Sequence, residues 1–324
     1  MIKIGLIGCG FMGNMHMNCY SALEGVEVVA VADIRREKAE NLAKLSNAVV
    51  YGDGAELIKN ADVDAIDICL PTFLHAKYAE LAMKKVSYVF VEKPATLTVE
   101  EGEHLLKVQQ QTGAFVQVGQ VIRFWDEYVW LKKLIESEKY GKVRNAQFRR
   151  LSPRPDWAWD GWVLDADRSG GAALDLHIHD ADFMLYLFGD PQKVSTILAH
   201  GGDRNSYIAS VCEYAGFTVS LEGSWDYPPE YPFEMAFRVR FDNAVAELTN
   251  AGLRLYADGT CVTPKIEKAF VASNAVGGNI SDLGGYFNEL KYFTGCIRDG
   301  KKPEQAELAD AVNSVRFVRG ELGE

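Results

Sequence analysis

Through the first third of the chain, short apolar runs rich in β-branched residues alternate with charged, amphipathic stretches. The apolar runs cover 2–7, 26–32, 48–51, 65–70, 87–91 and 114–118. The stretches between them carry helical spacing: from the glycines after Ile7 to about residue 23, then 35–45, 75–85 and 99–111. Continuous apolar strands between helices predict a parallel sheet covered on both faces. Right-handed crossovers make that sheet doubly wound.

After about residue 122 the texture changes. Segments 143–151, 194–200, 206–224, 233–241, 244–249 and 253–257 read as longer, partly alternating strands, joined by turn signals such as Asp242-Asn243 and Asp258-Gly259. A strong helix over 172–188 stops at Gly189-Asp190-Pro191, and another over 286–298 stops at Asp299-Gly300. The pattern predicts an α/β protein. An N-terminal Rossmann domain over 1–122 precedes an α+β domain over 123–324 with an open, mostly antiparallel sheet. The C-terminal helices can pack back on the first domain. No internal repeat, low-complexity tract or flexible linker interrupts the chain.

Length agrees with two domains, since 324 residues exceed what one core comfortably serves. The 34 basic against 45 acidic residues leave a net charge of −11, which argues against nucleic acid or an acidic membrane as partner. The six cysteines show no CxxC or metal-finger spacing and read as reduced thiols in a cytoplasmic protein. Leu6-Ile7-Gly8-Cys9 mimics a lipoprotein cleavage site, but no basic segment or long apolar region precedes it. No apolar stretch approaches the roughly 20 residues of a membrane helix.

The first strand runs directly into Gly8-Cys9-Gly10-Phe11-Met12-Gly13, which opens a helix. Asp33 follows at the end of the next strand, twenty residues past Gly13. Glycines there let the turn tighten and the backbone approach a pyrophosphate, which the helix N-terminus stabilises. Asp33 would accept hydrogen bonds from the adenosine ribose. Its carboxylate disfavours a 2′-phosphate, so NAD is expected rather than NADP. Arg35 and Arg36 pull the other way, because a guanidinium can take that phosphate. The plain alternative is a structural glycine turn with a surface acid.

Three further segments extend this: Cys69-Leu70-Pro71-Thr72-Phe73-Leu74-His75, Glu92-Lys93-Pro94, and Gly170-Gly171-Ala172-Ala173-Leu174-Asp175-Leu176-His177-Ile178-His179-Asp180. With the fingerprint and the ending Asp310-Ala311-Val312-Asn313-Ser314-Val315, the chain resembles the Gfo/Idh/MocA family of oxidoreductases, inositol dehydrogenases among them. The resemblance implies hydride transfer between a nicotinamide and a hydroxyl-bearing carbon of a sugar or polyol. It also implies that the domain over 123–324 serves substrate binding and oligomerisation, with a homodimer or homotetramer built on its open sheet. It carries the catalytic set onto Lys93, Asp175 and His179. Leu70, Pro71, Thr72, His75 and Glu92 fall where the family lines the nicotinamide half of the cofactor.

Oxidising an alcohol removes hydride from carbon and a proton from oxygen. Histidine titrates near neutrality, so His179 suits the general base. Lys93, at a strand's carboxyl end, would stabilise the developing alkoxide. Asp175 lies four residues before His179 on the predicted helix and shares its face. From there it either orients the imidazole or holds Lys93 and a substrate hydroxyl. Taken singly, these residues also read as solvated surface groups.

His177-x-His179 invites a metal reading. On a helix, however, residues two apart point about 200° apart and cannot share one ion, so no metal is expected. The family commonly has glycine where His177 stands, which makes His177 a packing residue or a substrate neighbour. Arg123 either contacts substrate hydroxyls or anchors the domains. Trp157, Trp159 and Trp162 form either a stacking wall for sugar C–H faces or a loop packed on its own domain. Tyr286 is a further pocket candidate. Two other functions remain on this scaffold: an NAD-retaining hydrolase or lyase acting on a glycoside through transient oxidation, and a noncatalytic NAD-sensing regulator.

Overall fold

The structure, a computed structural model, describes residues 1–156, 158–199, 206–266, 268 and 283–324. It divides into two compact units. One holds residues 1–124 with 268–313, the other residues 125–267 with 314–324.

The first unit carries a six-stranded parallel sheet in the order β3-β2-β1-β4-β5-β6. Its strands are β1 (Ile2–Ile7), β2 (Val26–Ala32), β3 (Val49–Tyr51), β4 (Ala65–Ile68), β5 (Tyr88–Val91) and β6 (Phe115–Val118). The strand order reverses beside β1, so the ligand crevice of such a sheet lies at the carboxyl ends of β1 and β4. Helices α1 (Phe11–Ser21) and α2 (Arg36–Ala43) bury apolar residues against one face. Helices α3 (Gly54–Asn60), α4 (His75–Met83) and α5 (Val99–Thr112) cover the other. Local signals set these helices. Thr98 and Glu101 close a reciprocal capping box at the head of α5, and Gly113 ends it in the left-handed conformation at φ +71°. Asp53 caps α3 by accepting from the Ala55 and Glu56 amides at 2.7 and 3.0 Å. Helix α3 is only seven residues long, too short to show helical periodicity in the sequence.

The second unit opens with α6 (Asp126–Glu136), another helix the pattern did not predict. Its sheet has eight strands in the order β14-β13-β12-β11-β7-β10-β9-β8. In chain order these are β7 (Val143–Pro153), β8 (Lys193–Leu198), β9 (Tyr207–Tyr214), β10 (Phe217–Tyr227), β11 (Glu234–Phe241), β12 (Ala244–Thr249), β13 (Gly252–Ala257) and β14 (Thr260–Val262). Only β7 and β10 pair in parallel among them; the other neighbours are antiparallel. The single strand expected over 206–224 is a hairpin. Gly216, at φ +95°, turns β9 back onto β10 with Phe217 opposite Tyr214. The strand expected over 194–200 is described as far as Leu198; His200 lies outside the described residues.

Two more helices belong to this unit's half of the chain, α7 (Ala166–Ser169) and α8 (Ile178–Phe188). Residues Ala173–His177 form a π turn immediately before α8, where a regular α-helix was expected. Tyr128 of α6 and Phe183 of α8 meet edge-on at 4.9 Å, and Tyr128 meets Phe237 of β11 at 5.2 Å, which places both helices on one face of the sheet. The chain then forms α9 (Gly284–Asp299), which packs beside α1 in the first unit, and α10 (Leu308–Glu321). The division between the units falls inside α10. Among the described residues, no helix is long and apolar enough to cross a membrane.

Candidate active site

In the first unit the three fingerprint glycines meet three different constraints. Gly8 sits at φ +96°, and a Cβ there would lie 2.3 Å from the Cys69 carbonyl oxygen. A Cβ on Gly13 would lie 1.9 Å from the Gly8 carbonyl oxygen, so only glycine lets α1 approach the loop. A Cβ on Gly10 would meet only the Arg35 guanidinium, at 3.8 Å. The first and third glycines serve packing. The second leaves open space beside the loop backbone. Gly10 is also the N-cap of α1 and brings no side chain to the orphan amides of the first turn. Phe11 and Met12 pack partly against the α1 core.

Asp33 and Arg35, read from the sequence as rivals, are partners. The buried Asp33 carboxylate accepts the Cys9 amide at 2.9 Å and the Arg35 amide at 2.8 Å. The Arg35 guanidinium closes a fork on it, Nε to Oδ1 at 3.1 Å and Nη2 to Oδ2 at 3.0 Å.

At the carboxyl end of β4, Leu70 and Pro71 lead into a single 3₁₀ turn, Thr72–Leu74. His75 is buried, with Nδ1 2.7 Å from the Pro94 carbonyl oxygen and Nε2 2.7 Å from that of Leu70. The ring thus ties the β4 end to the β5 end. Burial lowers its pKa below the ordinary value, although both carbonyls favour the charged ring. Glu92 is buried and its Oε2 accepts the Lys93 amide at 3.2 Å, while the Lys93 side chain is half-buried.

Sequence reasoning missed a buried polar cluster beneath these strand ends. His16 of α1 places Nδ1 2.8 Å from Asp67 Oδ2 and 3.2 Å from Cys69 Sγ. Its Nε2 lies 3.0 Å from Glu92 Oε1, a close ion-pair contact outside hydrogen-bond alignment. Tyr20 donates to Asp67 Oδ2 at 2.8 Å. Burial works against charge on His16, yet Asp67 and Cys69 outweigh it and raise the pKa well above the ordinary value. The signal was present in the sequence: Asp67 interrupts an apolar strand run. His16, Asp67 and Cys69 are also metal-ligand types, with ligand atoms within 4.8 Å of one another. However, 2.8 Å between Nδ1 and Oδ2 is a hydrogen-bond length, shorter than the ~3.3 Å between two donors on a tetrahedral zinc with ~2.0 Å bonds.

Arg123 is buried in the first unit, and its Nη1 bonds Asp310 at 2.6 Å in the first turn of α10. It therefore anchors that helix. Tyr286 is half-buried in α9, its ring centroid 6.4 Å from that of His16.

In the second unit, five acids and histidines crowd residues 175–182, and the fold separates them into two groups. His177 is buried, bonds Glu321 through Nε2 at 2.9 Å, and covers Gly223, where a Cβ would fall 2.7 Å from the His177 Cβ. It is a packing residue. Asp180 pairs with Arg150 at 3.1 Å and Asp182 accepts from Ser314 at 2.8 Å, both buried. Asp175 and His179 alone of the five stay half-buried, the first inside the π turn and the second just after it. Such turns recur at functional sites. Trp162 packs with Leu164 and Ala158 against Val163, Ala172 and Trp225, whereas Trp159 is 43% exposed. Trp157 lies outside the described residues.

A doubly wound sheet with this glycine loop and its strand-end acid has the form of a dinucleotide-binding fold. The chain belongs to the Gfo/Idh/MocA family. Residues 2–120 match the family's oxidoreductase domain with an NAD-binding Rossmann fold, and residues 128–247 match the family's C-terminal domain. It is 24% identical over 330 residues to scyllo-inositol 2-dehydrogenase (NAD(+)) of Bacillus subtilis (strain 168), covering 96% of this chain and 91% of that one. It is 29% identical over 203 residues to the uncharacterized oxidoreductase YrbE of the same organism. That match covers 62% of this chain, and the chain spans only 57% of YrbE's own length. Among solved structures, levoglucosan dehydrogenase in complex with NADH shares the fold at a TM-score of 0.83 and 20% identity, over 99% of this chain and 96% of that one.

Proposed function

We propose that the protein is an NAD-dependent dehydrogenase that oxidises a CH–OH group of a cyclic polyol or sugar, inositol-like in its run of hydroxyls. The observation that carries this reading is the sorting along residues 175–182. Three of the five groups, His177, Asp180 and Asp182, are buried, and the half-buried two are Asp175 and His179.

The Gly8–Gly13 loop and Asp33 would hold the dinucleotide, with Leu70, Pro71, Thr72, His75 and Glu92 along its nicotinamide half. Bound NAD supplies the hydride acceptor. His179 takes the hydroxyl proton, Lys93 steadies the negative charge developing on the same oxygen, and Asp175 orients the histidine or a neighbouring hydroxyl. With Arg123 held by Asp310, Trp157, Trp162 and Tyr286 are the candidates for reading the rest of the substrate. The relatives named for inositol and levoglucosan act on rings bearing adjacent hydroxyls, which supports this substrate class. We place the enzyme in the cytoplasm as a homodimer or homotetramer.

The test is absorbance at the NADH band with purified protein across inositols, aldoses and amino-sugars. NADH formation with at least one compound is expected. Tight NAD binding with no reduction by any of them would reject the reading in favour of a sensor. Product formation without NADH accumulation would favour the redox-assisted hydrolase or lyase.

The Asp33–Arg35 fork makes a second prediction. Asp33→Ala removes the ribose acceptor and releases the guanidinium, so NAD affinity should fall about tenfold or more, as expected for a lost hydrogen bond to a charged group. NADP affinity should hold or improve. Titrating both cofactors into the variant checks this, and an unchanged NAD/NADP ratio would sink the ribose assignment.

A further inference from the structure

We propose that His16 is a positioning residue of the active site: bridging Asp67 and Glu92, it locks the Glu92 carboxylate and, through it, the backbone at Lys93. The kinetic part of this proposal rests on the dehydrogenase reading above.

The argument starts from burial. His16 and Asp67 are 0% exposed, Tyr20 is 1% exposed and Glu92 is 5% exposed. Two carboxylates this far from water repel unless a cation lies between them. The His16 ring supplies it, with Nδ1 at 2.8 Å from Asp67 and Nε2 at 3.0 Å from Glu92. Tyr20 fixes the far end by donating to Asp67. The rings of Phe90 and Tyr286 enclose the imidazole, with centroids at 5.4 and 6.4 Å. The ring therefore has little freedom to turn.

The Tyr20, Asp67 and His16 end of this chain is closed inside the unit. The other end, Glu92, reaches the carboxyl end of β5, where a Rossmann sheet receives its ligand. There the carboxylate touches three elements. Oε1 faces His16 of α1, Oε2 accepts the Lys93 amide at 3.2 Å, and the group packs onto Gly119 just past β6. A Cβ on Gly119 would fall 3.0–3.1 Å from all three carboxylate atoms, so glycine is what lets the carboxylate sit there. Glu92 thus fastens α1 and the ends of β5 and β6 around the peptide that begins Lys93. Catalytic groups need their supporting contacts held to fractions of an ångström, and this carboxylate supports the Lys93 backbone directly.

The experiment compares His16→Ala, His16→Gln, Glu92→Gln and the His16→Gln/Glu92→Gln double variant at saturating NAD. For the His16 variants, kcat should fall at least tenfold while substrate KM and NADH Kd stay within threefold. The double variant should be no slower than the slower single, because both changes break one contact. Amide hydrogen exchange at Lys93 should accelerate in the His16→Gln and Glu92→Gln variants, while Val89 and Val91 within β5 keep their protection. A merely structural role would loosen β5 as a whole. Multiplied losses in the double variant, unchanged kcat in the His16 variants, or unchanged Lys93 exchange would each overturn the proposal. If no substrate turns over with the wild type, the dehydrogenase reading fails, and Lys93 exchange alone then decides this one. If the variants do not fold, ¹⁵N shifts of the wild-type His16 ring decide: protons on both nitrogens support the bridge, and a neutral ring refutes it.

Discussion

Lys93→Ala and His179→Ala should each lower kcat by about 10²–10⁴-fold, the usual contribution of a general base or an oxyanion-stabilising donor. NADH affinity should stay within a few-fold of wild type. Lys93 lies one residue past the buried Glu92 at the β5 end, and its loss leaves the glycine cradle and Asp33 intact. His179 belongs to the other unit, and the Asp33 carboxylate is held by Cys9 and Arg35. Steady-state rates beside NADH fluorescence titrations separate the two effects. Near-full turnover in either variant would remove that residue from the chemistry. His177→Ala serves as the contrast, since the His177–Glu321 contact is buried packing and its loss should lower the melting temperature.

Gly13→Ala and Gly10→Ala should fail in opposite ways. At Gly13 the new methyl would collide with the Gly8 backbone at 1.9 Å, and no side chain there can move aside. Either α1 is displaced from the loop or the fold is lost, with a destabilisation of at least the 1–3 kcal/mol typical of overpacking. At Gly10 the nearest atom is a guanidinium nitrogen at 3.8 Å, so the protein should fold with its usual melting temperature. Its methyl would nevertheless stand in the cradle, and NAD affinity should drop by about tenfold or more, or ~1.4 kcal/mol per decade. Thermal melts beside NAD titrations distinguish the two. A Gly10→Ala protein with wild-type affinity would show that the dinucleotide does not pass over that residue.

The parallel sheet was legible because its strands are continuous β-branched runs, and β1 and β2 span the residues the pattern predicted. The second sheet was blurred where turn chemistry is weak. Ala215-Gly216 carries one glycine and no Asn or Asp, so two strands read as one. Helix α3 escaped because seven residues give little periodicity, whereas α6 and α10, at eleven and fourteen residues, are long enough to be read from the sequence.

At the site, local spacing pointed to the glycine loop and Asp33, while Glu92-Lys93 and the Asp175/His179 pair were proposed from the family resemblance. It could not assign the remaining polar residues. Whether His177 reads substrate or fills the core depends on Gly223 and Glu321, the latter 144 residues away in sequence. The Asp33–Arg35 fork is a matter of rotamers rather than spacing. The His16–Asp67–Glu92 chain joins a helix and two strands, and burial alone turns it from three ordinary polar residues into one charged unit. Sequence by itself determined the class of cofactor fold, because that follows from local periodicity and the glycine motif. Tertiary structure decided which polar groups are consumed by packing and which stay accessible, because desolvation and pairing arise only when distant segments meet.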